Sequence, residues 1–283
     1  MAISDHVACV RTPFMTPEPL ALLLGIGIGL VLGLTGAGGG VLAVPALVLA
    51  LGYALPAAAP VALFAVGSAA AIGAYHGWRR REVRYRAAMV MACAGAVTAP
   101  LGISLAASSD KRLLTLLFCA VMLIVALRML RATFGREAAA DVQSASATPC
   151  RINPATGQLR WTARCALTIA LIGACTGFCT GLLGVGGGFI IVPALSRVSD
   201  IKTHQIIATS LLAIALIAAF SVVSALWHGV VFGSTAQYFI GGSIAGMLLG
   251  RALIGHLSAR WLMRGFCAMM LIVAIFLAKS VLD

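Results

Sequence analysis

Apolar residues run along this chain in long stretches separated by short polar breaks. With soft edges, the stretches are 19–35, 41–52, 57–77, 87–106 and 113–130, then 165–183, 189–196, 205–227, 235–255 and 262–281. Ala87–Ala106 and Leu113–Leu127 are too continuous for helices that turn one face to water. About 20 apolar residues cross the roughly 30 Å hydrocarbon core of a bilayer, so such runs predict membrane-spanning helices. Segment 41–52 is too short for that, because its helix would rise only about 18 Å. The pattern predicts an all-α integral membrane protein with a first repeat over 19–130 and a second over 165–281. A tail, 1–18, precedes them. Arg131–Arg164 carries Gly135, Pro149, Pro154 and Gly157 and reads as an exposed linker between the repeats. Whether 19–35 and 41–52 both cross fully is left open by the pattern.

The two halves correspond residue by residue. Gly33-Leu-Thr-Gly-Ala-Gly-Gly-Gly-Val-Leu-Ala-Val-Pro-Ala-Leu47 is answered by Gly181-Leu-Leu-Gly-Val-Gly-Gly-Gly-Phe-Ile-Ile-Val-Pro-Ala-Leu195. Phe118–Ala126 matches Phe266–Ala274 at the same displacement, as do Gly102 with Gly250 and Arg112 with Arg260. Composition bias gives isolated matches, but not one offset kept at separated places, so two structurally equivalent halves are expected. Arginines then set their orientation. Loop 78–86 holds Arg79, Arg80, Arg81, Arg84 and Arg86 against Glu82, a cytoplasmic signature. The equivalent stretch Gly229–Gln237 is uncharged. Conversely, Gly52–Pro56 is uncharged while Arg197–His204 carries Arg197 and Lys202 beside Asp200. The second half is therefore expected to be inverted, with loop 78–86 and linker 131–164 cytoplasmic and both termini outside.

Composition narrows the function classes. The chain is 61% hydrophobic and 10% charged; soluble domains carry about a quarter charged residues, so a water-soluble enzyme is excluded. The net charge of +12 is the loop arginines at work. No basic stripe is interleaved with aromatics, so nucleic acid is not an expected partner. The eight cysteines include no CxxC pair and read as small packing residues, with Cys175 and Cys179 sharing a helix face. No basic region precedes the first apolar run, so no cleaved signal peptide is expected. The few acidic residues lie outside the centres of the apolar runs. Buried carboxylates commonly serve cation coupling, so this distribution favours an anionic solute over a cation.

The candidate chemistry lies at the glycine clusters. Segment 41–52 reads as a half-helix that begins at the glycines, with Pro45 near its start; Pro193 repeats the arrangement. Backbone amides at such helix ends lack helical acceptors and favour a negative charge. Irregular backbone at membrane depth also requires a protein-lined or wet cavity. The expected substrate-binding residues are Gly36, Gly38, Gly39, Gly40 and Pro45 in the first half. In the second they are Gly184, Gly186, Gly187, Gly188 and Pro193, with Thr209 and Ser210 as cavity-lining hydroxyls. Gly25, Gly29 and Gly33, and Gly173, Gly177 and Gly181, are spaced four apart and read as surfaces for close helix packing. His76 and His228 each follow an aromatic residue; they read as members of an interfacial belt, with titratable gates as the alternative. Arg251 reads as a snorkelling cation. No Lys-Ser/Thr follows either cluster, so neither is a P-loop. No catalytic residue, metal ligand or cofactor is expected.

The duplicated phrase G-x-x-G-x-G-G-G-x-x-x-V-P-A-L resembles the sulfite exporter TauE/SafE family of membrane transporters, over roughly Leu20–Leu130 and Cys165–Val281. Ala208-Thr-Ser-Leu211 also looks like the family, whereas the first half departs from it with Ala59-Pro-Val-Ala62. The resemblance implies a permease of the bacterial inner membrane for small anions such as sulfite, sulfoacetate and related sulfonates. The expected partners are that anion and the lipid bilayer, with a homo-oligomer allowed. Alternating access of two halves driven by a solute or ion gradient follows for such a secondary transporter. The competing expectations are a membrane-embedded redox protein using Cys175 and Cys179, and a non-transporting membrane subunit.

Overall fold

The computed structural model describes residues 17–36, 39–134, 150, 161–199, 201, 203–227, 233–253, 268 and 271–273. Gly38, His228, most of the tail and linker, and nearly all of the predicted segment 262–281 lie outside them. Among the described residues the chain is helical, with no strand beyond an isolated parallel bridge between Cys150 and Ser199. The helices are α1 (Pro17–Thr35), α2 (Gly39–Pro45), α3 (Leu55–Arg79), α4 (Tyr85–Ser108), α5 (Lys111–Phe134), α6 (Ala163–Leu183), α7 (Gly188–Val198), α8 (Thr203–Trp227) and α9 (Ser234–Leu253). A π-helical stretch, Ala46–Ala50, continues α2. Among the described residues, five segments are long and apolar enough to cross a bilayer: Glu18–Thr35, Ala57–Arg79, Tyr85–Ala106, Ala163–Leu183 and His204–Ser224. The apolar part of α5, Arg112–Leu127, is shorter, as are Gly39–Ala50 and Gly188–Val198. Large apolar side chains line the outside of these spans; Val97 is 73% exposed and Leu167 63%. Such a surface suits lipid rather than water.

Each half gives its first helix to the other. α1 packs along α9, and its sequence counterpart α6 packs along α4. Lipid tails are as apolar as leucine, so helices in a bilayer associate through close packing rather than hydrophobic exclusion. Glycines supply that closeness. Gly25 faces Phe239 and Ser243, Gly29 faces Ser243 and Met247, and Gly33 lies against Met247 and Gly250. In the other pair Gly173 faces Met91, Gly177 faces Gly95 and Gly181 faces Ala99. In both pairs the numbers rise together, so the partners run in the same direction.

Further contacts fix the remaining directions. Ser243 Oγ donates to the Ala65 carbonyl (3.0 Å), and an Arg251 guanidinium nitrogen to the Gly73 carbonyl (2.7 Å), so α9 runs with α3. Gly67 lies against Ala218 and Gly77 against Ala208, so α3 and α8 run oppositely. Arg251 thus reaches a backbone acceptor on α3. The missing side chain of Gly73 leaves room for that reach.

The cysteines bring a correction. Cys150 and Cys165, read as packing thiols, form a disulfide with 5.0 Å between Cα atoms. Cys150 is fully buried, and its amide donates to the Val198 carbonyl (3.1 Å). This end of the segment read as an exposed linker is therefore pinned to the start of α6 and the end of α7. Because α6 runs alongside α4, the bridge lies at the same end of the molecule as the arginine-rich loop.

Candidate functional site

The two glycine loops interrupt the helices at corresponding places. α1 stops at Gly36, with φ +70° and its amide bonded to the Leu32 carbonyl at 2.8 Å. α6 stops at Gly184, also at φ +70°, with its amide on the Thr180 carbonyl at 2.8 Å. A left-handed residue at this position ends a helix, and glycine adopts it without a Cβ penalty. Beyond it the halves diverge. Gly186 and Gly187 are both left-handed, at φ +71° and +60°, and α7 begins at Gly188. Gly39 and Gly40 are already inside α2.

The loops meet in the interior. Gly40 faces the Val185 carbonyl, and a Cβ on it would also lie 3.4 Å from Val66 of α3. A Cβ on Gly186 would lie 3.2 Å from Val66 and 3.8 Å from Ile214 of α8. Gly36 rests on Ile207 of α8, and its carbonyl accepts a bond from Ser210 Oγ (3.3 Å). Gly184 rests on Ala59 of α3, the position corresponding to Ile207. The fold therefore gathers Gly36, Gly40, Ser210, Gly184 and Gly186 between α3 and α8, all of them buried. Gly188 is buried at the start of α7, and Gly39 is buried against Ile28 and Leu32 of α1.

Three expected site residues are placed otherwise. Thr209 is turned toward the arginine loop: it accepts from the Arg84 amide (3.0 Å) and donates to the Gln205 carbonyl (2.7 Å). Pro45 closes α2 and Pro193 lies well inside α7, so neither occupies a first helical turn. After Pro45 the winding loosens to a π-helix, because the ring clashes with the preceding turn and offers no amide. Pro193 is exposed whereas Pro45 is buried. His76 is exposed, with Nδ1 3.1 Å from the Ile72 carbonyl and its ring edge-on to Tyr75, which in turn neighbours Trp78. That setting is an exposed aromatic cluster at the end of α3, away from the glycine loops.

Two residues that sequence reasoning passed over stand at the second loop. Thr176 and Thr180 of α6 are fully buried and face Gly187; a Cβ there would lie 2.8 Å from Thr180 Oγ1. Thr180 donates to the Thr176 carbonyl (2.8 Å), while Thr176 Oγ1 has no partner. Hydroxyls one helical turn apart in an apolar run, just before a glycine cluster, were the available signal. The first amides of α7 precede any intrahelical acceptor and carry the positive end of its dipole. Backbone donors and hydroxyls at such a place suit a small anion better than a metal. Among the described residues no group of three or more His, Cys, Asp or Glu is placed to hold one. A separate open cleft, lined by Tyr85, Arg86, Met89, Val90 and Trp161, lies at the arginine-rich end.

Comparison with known proteins agrees with this architecture. Residues 21–277 match the family described as sulfite exporter TauE/SafE. Two "probable membrane transporter" proteins of Xylella fastidiosa, from strains Temecula1 and 9a5c, are each 32% identical over 271 residues, covering 93% of this chain and 96% of the relative. No solved structure matches. With the family pattern spanning both halves and both glycine loops, the chain belongs to the sulfite exporter TauE/SafE family.

Proposed function

We propose that this membrane transporter moves small oxyanions, such as sulfite, sulfoacetate or related organosulfonates, by alternating access around its paired glycine loops. The observation that carries the proposal is the meeting of Gly40 with the Val185 backbone between α3 and α8. Non-helical backbone at membrane depth is tolerated where it is buried in protein or lines a cavity, and transporters use such broken helices to hold their solutes. Residues 19–130 and 165–281 are read as two inverted repeats. The opposite run of the equivalent helices α3 and α8 supports this, as does the exchange of α1 and α6 between halves. Rocking of one half against the other would expose the loops to each side in turn. We place the arginine-rich loop and linker in the cytoplasm and the protein in the bacterial inner membrane, following the arginine excess.

The test is a thermal-shift screen of purified protein against sulfite, sulfate, thiosulfate, sulfoacetate and short carboxylates. A solute that binds the native state raises the melting temperature. A rise with one oxyanion and transport of that ion into liposomes is the expected result; no response to any of them would overturn the anion assignment.

The cysteine-based alternative makes an opposite prediction. Cys175 is exposed and Cys179 half-buried, and both are free thiols, whereas the α6 residues that meet Gly187 are Thr176 and Thr180. Replacing both by alanine is expected to leave liposome flux within about twofold of wild type, as for surface changes away from a site. Abolished flux would favour redox chemistry instead.

A further inference from the structure

We infer that Thr176 is the side chain that hydrogen-bonds the transported anion, which makes recognition one-sided: the second half reads the charge and the first closes over it. This rests on the proposal that the anion binds at the glycine loops.

The argument begins with an unpaired hydroxyl. The buried hydroxyl residues among those described are Thr176, Thr180, Ser199, Thr209, Ser210, Ser221 and Ser243. Every one except Thr176 donates to a backbone carbonyl one turn back along its own helix, and Ser210 and Ser243 also reach a carbonyl on another segment. That back-bond is the usual resort of a hydroxyl inside a helix. Thr176 Oγ1 is buried and makes no bond. A buried polar atom left unsatisfied is costly and calls for a partner such as a water or a ligand.

Its position says what kind of partner. A Cβ on Gly187, the residue capping α7, would overlap the Thr176 methyl and lie 3.1 Å from the Thr176 carbonyl. Thr176 therefore shares its space with the start of a helix of eleven residues, in which Ile190 and Ile191 bond the Gly187 carbonyl while the amides of Gly188 and Phe189 precede any intrahelical acceptor. The unpaired Thr176 hydroxyl is borne on the same Cβ as that methyl, so it and the free amides at the positive helix end offer donors, which an oxyanion satisfies and a cation does not. The first half has no equivalent. The positions corresponding to Thr176 and Thr180 are Ile28 and Leu32, and those corresponding to Thr209 and Ser210 are Val61 and Ala62. The side-chain donors all come from one repeat.

The test uses full-length Thr176→Val and Thr176→Ser proteins in liposomes, with sulfite and sulfoacetate as probes. Valine keeps the shape and removes the hydroxyl; serine keeps the hydroxyl. A hydrogen bond to a charged group predicts that Thr176→Val raises the half-saturating anion concentration about tenfold to a hundredfold. Its melting temperature without anion should be unchanged or higher, because an unpaired polar atom has gone. Thr176→Ser should stay near wild type. Wild-type saturation in Thr176→Val overturns the inference while leaving the glycine-loop proposal standing. So does a lowered melting temperature with unchanged saturation, which would mark a packing role. If wild-type protein responds to neither probe nor to the other anions of the screen, the glycine-loop proposal itself falls and this inference with it. Should Thr176→Val fail to insert, Thr176→Ala removes the hydroxyl with less bulk and is read by the same criteria.

Discussion

Replacing Gly187 by alanine is expected to abolish anion flux while the protein still inserts and purifies. Two penalties coincide there. The backbone sits at φ +60° and ψ −2°, a left-handed conformation that costs a residue with a Cβ about 1–2 kcal/mol. The new methyl would also overlap Thr176 and lie 2.8 Å from Thr180 Oγ1, in packing where added bulk costs about 1–3 kcal/mol. The loop must shift, and with it the start of α7 and the approach to the Val185–Gly40 contact. Insertion is set by the apolar spans, which the change does not touch. Gly27→Ala and Gly241→Ala are the matched controls, because a Cβ at either meets open space and neither has a positive φ. Flux is measured in liposomes against protein recovered in the membrane fraction. Undiminished flux in Gly187→Ala would remove the reason for placing the solute at this loop.

The repeat itself was legible because close packing and helix breaking are both written in glycine. The ladders Gly25-Gly29-Gly33 and Gly173-Gly177-Gly181 have the spacing of one helix face, and each occupies a helix contact. The clusters that follow could be read as breaks because successive glycines are more than packing needs. What the residues could not convey was which backbone would turn left-handed. Gly187 and Gly39 hold corresponding positions, yet one caps α7 and the other lies inside α2. The difference follows from neighbours on another helix, threonines in one half and Ile28 and Leu32 in the other.

The disulfide was hidden for a related reason. Cys150 belongs to a segment with no apolar periodicity, and its pairing with Cys165 depends on where α7 ends. The bridge also bears on sidedness. Disulfides persist in oxidising compartments, whereas the arginines of the same end favour the cytoplasm. The arginines carry our placement, because positively charged short loops resist translocation, while two neighbouring cysteines pair or part with the redox state of their surroundings.

The largest effect on folding is expected at Gly177, and a graded glycine series shows why. At Gly27 a Cβ meets nothing, so alanine removes backbone freedom from the unfolded chain and should be neutral or stabilise by up to about 1 kcal/mol. At Gly73 a Cβ would strike the tip of Met247 and come within 3.0 Å of Leu211. Methionine is unbranched and adaptable, so Gly73→Ala should lower the melting temperature only slightly. At Gly177 the obstacle is the Gly95 backbone itself, its carbonyl carbon 2.5 Å from where the Cβ would stand. No rotamer relieves that, and Gly95 has no side chain left to trim. α6 must move away from α4 along its length. A gap of even 0.5–1 Å forfeits roughly a quarter to a half of each atomic attraction, and in lipid that packing is what holds the helices together. Gly177→Ala should therefore lower the melting temperature in detergent far more than Gly73→Ala, and Gly177→Leu should leave little folded protein. An order in which Gly177→Ala is as stable as Gly27→Ala would mean that α4 and α6 do not approach at this glycine. The exchange of first helices between the halves would then lose its physical basis.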